Sequence, residues 1–565
     1  MSVPIPERVW FMRRILIGRH FLVASLILAA FFFGGIAPSS RAFAEDRVVG
    51  GDSTAAVDSV LRQGMQFESQ RQWGEALAHY EDALREFPSN PSLQERYATA
   101  KIHYDLGRRY SDVSFRKSII TLRKHDSLDM YGDVLLKIDS HYVHDVDWRQ
   151  LVQGGNQSLT IAMQESVFAE RYLRELPAER LDAFRGDFGD LTRVSEIRGR
   201  SDAIRFVENV SEIAERQLGV PPAAVVMEYI AGAAGGLDPY SSYLTGDQLR
   251  EVYSQIDGNF VGLGIELKAT GGSLLIVSVI PESPADRGGI RSGDRILTVD
   301  GTSTSGLSTD EAATLLQGIE GSLVEVEVIS NDEAASRTLR LRRQHVEVPS
   351  VEGAKIIDAS AGIAYLRLVT FQRTTPRDID AALWKLHRQG MRSLIVDVRD
   401  NPGGLLTAAV DVADKFVRQG TIVSTRGRNK HEDFNYSAHD VATWPMPLVV
   451  LVDQNSASAS EIFAAAIRDH GRGTIVGQRS YGKGSVQGIF PLNKAGAGIR
   501  LTTAKFYGPK GGPINQVGVA PDVVVRTAAK PVDPRLEEAT QSSAQTGDAT
   551  LEAATEILRR QVAQR

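Results

Sequence analysis

Lys483 lies between two glycines in the stretch TIVGQRSYGKGSVQ, Thr474 to Gln487. A lysine so placed can grip a phosphate, move a proton, or simply ride on a turn. From Gly477 to Lys483 the spacing is G-x-x-x-x-G-K, one residue short of a phosphate-binding loop. That loop needs Ser or Thr next, to hold Mg²⁺, and then a helix whose N-terminus faces the phosphates. Gly484 stands there instead, and the β-branched, aromatic SVQGIFPL after it reads as a strand. The phosphate use falls. Proton transfer remains, since burial disfavours an ammonium and turns lysine into a base. Gly482 and Gly484 would let the backbone pass close to a partner, and no acid lies between Gly477 and Gln487 to hold the charge.

The partner is sought in NSASASEIFAAAIRDHG, where a buried strand ends and a helix begins near Ala459 and stops at Gly471. Ser458 with Glu461 makes S-x-x-E, a capping box, so Ser458 reads as an N-cap as readily as a nucleophile. Its place at a helix N-terminus favours the second use, because free amides there can stabilise an oxyanion. A nucleophilic serine also needs a base. His470 is about three turns along the same helix, roughly 18 Å away, and reads better as a C-terminal residue complementing the dipole. Lys483 is the remaining candidate.

The elements that must position this pair are strands alternating with helices. GIAYLRLVTF, SLIVDV and PLVVLVD read as buried strands; PRDIDAALWKLHRQG and LLTAAVDVADKFVRQG read as helices, with RDNPGG a turn between. Before them, from Gly258 to about Gln344, the texture changes to short strands and Gly/Pro turns. ESPADRGGIRSGDRILTVDG resembles a PDZ domain, and VGLGI sits where that family has its carboxylate-binding loop. The candidate contacts there are Val261, Gly262, Leu263, Gly264 and Ile265, whose successive N–H groups would hold a peptide C-terminus added as an extra strand. Residues 128–250 read as largely helical. Residues 45–127 hold a helical hairpin in which Gly64, Phe67, Trp73, Ala76, Tyr80, Ala83 and Pro88 fall on the small and large positions of a tetratricopeptide (TPR) repeat. A lone repeat cannot bury its own faces, so a plain hairpin packed on the adjoining helical region is the alternative.

Composition bounds the rest. The 565 residues imply several domains, and 42% hydrophobic content can bury real cores. A net charge of −6 argues against a nucleic-acid partner. The absence of cysteine excludes disulfides and thiolate chemistry, and 11 histidines without an HExxH spacing give no reason to expect a metal or other cofactor. Residues 1–44 have a signal-peptide layout, with Arg8, Arg13, Arg14 and Arg19 before the apolar FLVASLILAAFFFGGIA and a small-x-small site at Ala42–Ala44. The expectation is an exported, periplasmic protein, membrane-associated if the apolar segment is retained.

GLDPYSSYLT, the PDZ-like segment, LIVDVRDNPGGLL, SASASEIFAAAI, YGKGSVQ and LTTAKFYGP succeed one another in the order seen in carboxy-terminal processing peptidases, the tail-specific serine proteases, and the chain resembles that family from about Tyr131 to Val525. The resemblance implies a Ser/Lys catalytic pair 25 residues apart, a spacing that only Ser458 meets among Ser456, Ser458 and Ser460. It implies Gln487, four residues after the lysine and on the same strand face, as the group orienting the amine. It implies an oxyanion hole of the backbone N–H of Ala459 and of Gly403 or Gly404. The fold implied is multidomain α+β: a helical N-terminal region with the TPR-like hairpin, a PDZ domain at 258–344, and an α/β, crotonase/Clp-protease-like serine protease core at 345–527. The hairpin and the segment RELPAERLDAFRGDFGDLTRVSEIRGR are additions to the family plan, and 528–565 reads as a polar tail with a short helix. Implied partners are protein or peptide substrates with free C-termini, an adaptor on the hairpin, and further copies in a homodimer or higher oligomer. Two rivals are a catalytically silent PDZ/TPR-like scaffold, which should lack Ser458 or Lys483, and an acyl-CoA hydratase or isomerase, which needs no such pair.

Overall fold

The structure, a computed structural model, describes residues 52–270, 273–305, 307, 309–318, 320–330, 335–525 and 548–564, with the backbone of Ser25–Leu26. The rest of the expected leader at 1–44, the last two residues of the expected core (526–527) and residues 528–547 of the expected tail lie outside the described residues.

Three helices follow one another from Asp52: α1 (Asp52–Ser69), α2 (Trp73–Glu86) and α3 (Pro91–Ser111). Their small and large positions interlock physically. A Cβ at Gly64 would lie 2.3 Å from the Tyr80 ring, so α1 and α2 approach closely only because Gly64 is bare. Val57, Ala76, Tyr80, Ala83, Leu93 and Ala100 form their own small core. α3 continues into the helical region, which runs to Gly235 and packs Tyr229, Ile230 and their neighbours against Phe490, Ile499 and Leu501 of a sheet. The buried carboxylate of Glu228 takes hydrogen bonds from Arg109 (2.7 Å), Tyr110 (3.0 Å) and Ser158 (2.7 Å), which fixes α3 to this region. A buried charge is tolerable only when so paired.

The PDZ-like segment forms an antiparallel sheet in the order Ile265–Thr270, Ser273–Val279, Arg295–Val299, Leu323–Ile329, Arg337–Arg342. It has its own core of Leu274, Ile276, Ile296, Val326 and Val328. Asn259–Gly262 pairs with Gln344–Glu347, so the chain enters and leaves this unit through one short ladder.

The last unit is layered. Its central sheet runs in the order Val351–Asp358, Ile363–Leu368, Ser393–Asp397, Leu448–Val452, Thr474–Gly477, Val523–Val524, parallel except for the first pair. Ser393–Asp397 and Leu448–Val452 are buried at every position, which is why they read as unbroken apolar runs. Helices Thr375–Arg388, Leu406–Asp414 and Ala459–Asp469 bury their apolar faces in a common core with it. A second, antiparallel sheet joins Ser485–Pro491, Gly498–Tyr507, Gly420–Gly427 and Phe434–Ala438. The helix expected over LLTAAVDVADKFVRQG stops at Asp414, because Phe416 and Val417 turn into that core. The helix Ala549–Ala563 is no appendage: Ala554 and Leu558 cover Ile363, Ile395, Val449 and Val476 of the central sheet, and Asp548 is paired to Arg399 at 2.7 Å.

Candidate active site

The turn from the Leu448–Val452 strand into the Ala459–Asp469 helix sets the first half of the site. Its three serines differ sharply. Ser456 Oγ donates to the Val398 carbonyl (2.7 Å) and Ser460 Oγ to the Asn401 carbonyl (2.9 Å). Ser458 Oγ is buried and has no hydrogen-bond partner among the described residues. Ser458 also has φ +63° and ψ −110°, a conformation that a side chain rarely adopts and that persists only where its surroundings enforce it. The hydroxyl faces the Glu461 N–H in the manner of a capping box, but that N–H is given to the Ser458 carbonyl at 2.9 Å and no hydrogen bond reaches Oγ. The reciprocal half of the box is present, with Glu461 Oε2 accepting the Ser458 N–H at 2.7 Å.

Glu461 does more than cap. It is fully buried, and its carboxylate also accepts the N–H of Gly482 (2.7 Å), the N–H of Lys483 (2.9 Å) and the hydroxyl of Ser480 (2.5 Å). One carboxylate thus holds the backbones of Ser458 and Lys483 together across 25 residues of sequence. Burial pushes its own pKa up, against the four donors that favour the charged form.

Lys483 is buried as well. Desolvation, helped by the Arg500 guanidinium, lowers its pKa from the ordinary 10.5 to about 7, while Glu81, Glu461 and Asp238 oppose the shift. Its amine lies 4.6 Å from the ring centroid of Tyr240, on the aromatic face. Since Ser458 Oγ has no partner, the amine and the hydroxyl are not hydrogen-bonded in this arrangement.

Two expectations need correction here. The glycines around Lys483 do not make room for the serine. A Cβ at Gly484 would lie 2.2 Å from Asn515 N, and Gly482 has φ +92° against Val517 and Gly518, so both serve contact with the 515–518 segment. Gln487 does not bond Lys483 either. Its Nε2 donates to Ser485 Oγ (2.9 Å) and Thr502 Oγ1 (3.5 Å), and Oε1 has no partner among the described residues. The strand starts at Ser485, after the lysine, and its pairing shifts register between Val486 and Gln487, so positions 483 and 487 do not share a regular face.

The turn Asn401–Gly404 lies against the serine. Asn401 Nδ2 donates to the Leu368 carbonyl (2.8 Å), and its Oδ1 accepts the Gly403 N–H (2.9 Å). A Cβ on Gly403 would lie 2.9 Å from Ser458 Cβ and 3.0 Å from Ala459 N, which requires glycine. Gly404 bridges Phe371 through the neighbouring peptide groups, with Phe371 N–H donating to Gly403 O (2.8 Å) and Leu405 N–H to Phe371 O (2.6 Å). Gly404's own N–H stands outside that pairing. Ala459 is the first residue of its helix, where amides have no intrahelical acceptor. His470 is at the far end, with Nε2 2.8 Å from the Thr421 carbonyl.

In the PDZ-like unit, Val261 and Gly262 are held in the ladder with His345 and Gln344. Leu263 is buried in the core, and Gly264 turns the chain with φ +80°. Ile265 begins the strand that forms one edge of the sheet.

Residues 362–525 match peptidase family S41, and residues 275–330 match the PDZ domain. The carboxy-terminal-processing protease of Bartonella bacilliformis is 36% identical over 327 residues, 57% of this chain and 74% of that protein. The chain belongs to peptidase family S41. The carboxyl-terminal-processing protease of Synechocystis is 35% identical over 292 residues, covering 51% of this chain and 68% of that one. Among solved structures, the photosystem II D1 C-terminal processing protease is 29% identical, with 71% of this chain and 92% of that one covered at a TM-score of 0.38.

In this S41 peptidase the residues that sequence reasoning did not single out are Glu461 beyond its capping role, Tyr240, Asn401 and Arg500. Glu461 was visible as the N3 acid. Tyr240 and Asn401 lie within the quoted stretches GLDPYSSYLT and RDNPGG, but that they face the site was not legible, because they, like Arg500, reach it from other segments.

Proposed function

We propose that this S41 peptidase is a serine endopeptidase that uses Ser458 as nucleophile and Lys483 as base, and that it cuts proteins near or from their C-termini. The observation that carries the reading is the unpartnered, buried Ser458 hydroxyl on a strained backbone, tied through Glu461 to a lysine whose pKa burial lowers to about 7. A buried hydroxyl without a partner costs about 1–3 kcal/mol, and the turn keeps one at Ser458 while partnering both neighbours.

In the reaction, the Lys483 amine leaves the Tyr240 face by a side-chain rotation and takes the Ser458 Oγ proton. Oγ attacks the substrate carbonyl carbon, and the carbonyl electron pair moves to oxygen. The N–H of Ala459 and the N–H of Gly404 stabilise that oxyanion, since Gly403 N–H is engaged by Asn401. The ammonium returns its proton to the departing amine, and water then releases the acyl group by the reverse sequence. The Gln487 Oε1 has no partner in the present arrangement and would accept from the amine only after such a rotation. The PDZ domain would add the substrate tail along the Ile265–Thr270 edge, its carboxylate at Gly262, Leu263 and Gly264. The leader-like residues 1–44 support export, and the TPR-like pattern of the hairpin supports an adaptor site.

Cleavage of an unfolded protein by the parent and by Ser458→Ala, Ser456→Ala and Ser460→Ala tests the assignment. Activity should vanish in Ser458→Ala alone. Retention there, with loss in either neighbour, contradicts it.

A further inference from the structure

Neither family match reaches the helices α1–α3, yet α2 touches the loop that carries the lysine. Tyr481, two residues before Lys483, donates its hydroxyl to Glu81 Oε1 at 2.8 Å. The Arg85 guanidinium lies 4.7 Å from the centroid of the same ring. Glu81 and Arg85 are one turn apart on α2 and 4.0 Å from each other, so ring and hydroxyl of Tyr481 are gripped from one helix face.

The grip is anchored by hydrogen bonds at both ends. On the core side, Tyr481 N–H donates to the Ser456 carbonyl (3.0 Å), inside the serine turn, and the next two amides go to Glu461. On the hairpin side, Arg71 and His103 both bond Glu165 (2.8 and 2.6 Å), Trp73 stacks on His103 at 3.8 Å, and Arg109 is locked to Glu228. The hairpin is therefore fastened to the helical region, and it reaches across to the catalytic loop from a fixed base.

We propose that Glu81 and Arg85 of the N-terminal hairpin are positioning residues of the active site, holding Lys483 in register with Ser458 through Tyr481. This rests on the Ser458/Lys483 reading and adds to it the element that sets the lysine loop. Glu81 acts by position and by charge. The groups facing Lys483 are Arg500 from the Gly498–Tyr507 strand, Asp238 and Tyr240 from the segment after the last N-terminal helix, Glu461 from the serine helix, and Glu81 from the hairpin. Of the three carboxylates, Glu81 favours the ammonium most. Its side chain is half exposed, so its field is partly screened.

The experiment compares the full-length parent with Glu81→Gln, Tyr481→Phe and Glu75→Gln, an exposed acid of the same helix. kcat and KM for a fluorescein-labelled unfolded protein are measured from pH 5 to pH 9, with thermal unfolding alongside. Glu81→Gln should move the rising limb of kcat/KM to lower pH by a fraction of a unit and lower the plateau. Tyr481→Phe, which deletes only the hydroxyl, should lower kcat several-fold with KM held. Glu75→Gln should match the parent. Profiles of Glu81→Gln and Tyr481→Phe that superimpose on the parent's overturn the proposal, as does a loss that tracks thermal stability equally in all variants. Ser458→Ala in the same series keeps the two claims apart: if it retains activity the catalytic assignment fails, and if it is inactive while Glu81→Gln behaves as the parent, only the hairpin's role fails.

Discussion

At the scale of single residues, the site turns on which polar atoms are engaged. The sequence made Ser458 ambiguous between cap and nucleophile, because S-x-x-E describes both. What favours the proposed nucleophile is that the Ser456 and Ser460 hydroxyls find carbonyls and Ser458's does not. Glu461 was legible only as a capping acid, since its bonds to Ser480, Gly482 and Lys483 span segments about twenty residues away. Glu461→Gln should lower kcat at least tenfold, because an amide NH₂ replaces an acceptor facing two N–H groups. It should also cost about 1–3 kcal/mol in denaturant unfolding. Unchanged kinetics would remove Glu461 from the site. Lys483 makes a stability prediction with a definite sign. Its folded pKa of about 7 lies below the ordinary 10.5, so between those values the unfolded chain binds the extra proton. Stability therefore gains from Lys483 as pH rises through that window, and Lys483→Met should remove this slope from unfolding measured between pH 7 and pH 10.

At the scale of elements, the strands and helices of the peptidase unit were readable because buried parallel strands are uninterrupted apolar runs and the helices between them are amphipathic. The Gln487 contact was not, since a register shift at Val486/Gln487 breaks the alternation that sequence reasoning assumes. The C-terminal helix is a different case. The short helix was expected after a polar tail, and its apolar residues Leu551, Ala554, Ile557 and Leu558 are what seat it on the sheet. In the PDZ unit, the edge strand Ile265–Thr270 is where a substrate tail should add. Fluorescent peptides with an apolar last residue, free or amidated at the C-terminus, should bind full-length Ser458→Ala with clearly weaker affinity when amidated. Equal affinities would contradict a carboxylate nest. In the hairpin, Gly64→Ala should destabilise α1–α2 packing by about 1–3 kcal/mol, because the new Cβ meets Tyr80. Thermal unfolding checks this.

At the scale of the whole molecule, four units converge on one lysine. The segment after the helical region brings Asp238 and Tyr240, the hairpin holds Tyr481, the central sheet presents Ser458, and the antiparallel sheet brings Arg500 to the amine. Burial from all sides is what lowers the pKa. The decisive measurement is kcat/KM on an unfolded protein from pH 5 to pH 9, for the parent and for Lys483→Arg. With a neutral lysine as base, the parent should show a rise with a midpoint near 7. Lys483→Arg should give no detectable cleavage, because a guanidinium stays protonated throughout. A parent profile flat across this range, or an active Lys483→Arg enzyme, would contradict a neutral Lys483 as the base for Ser458.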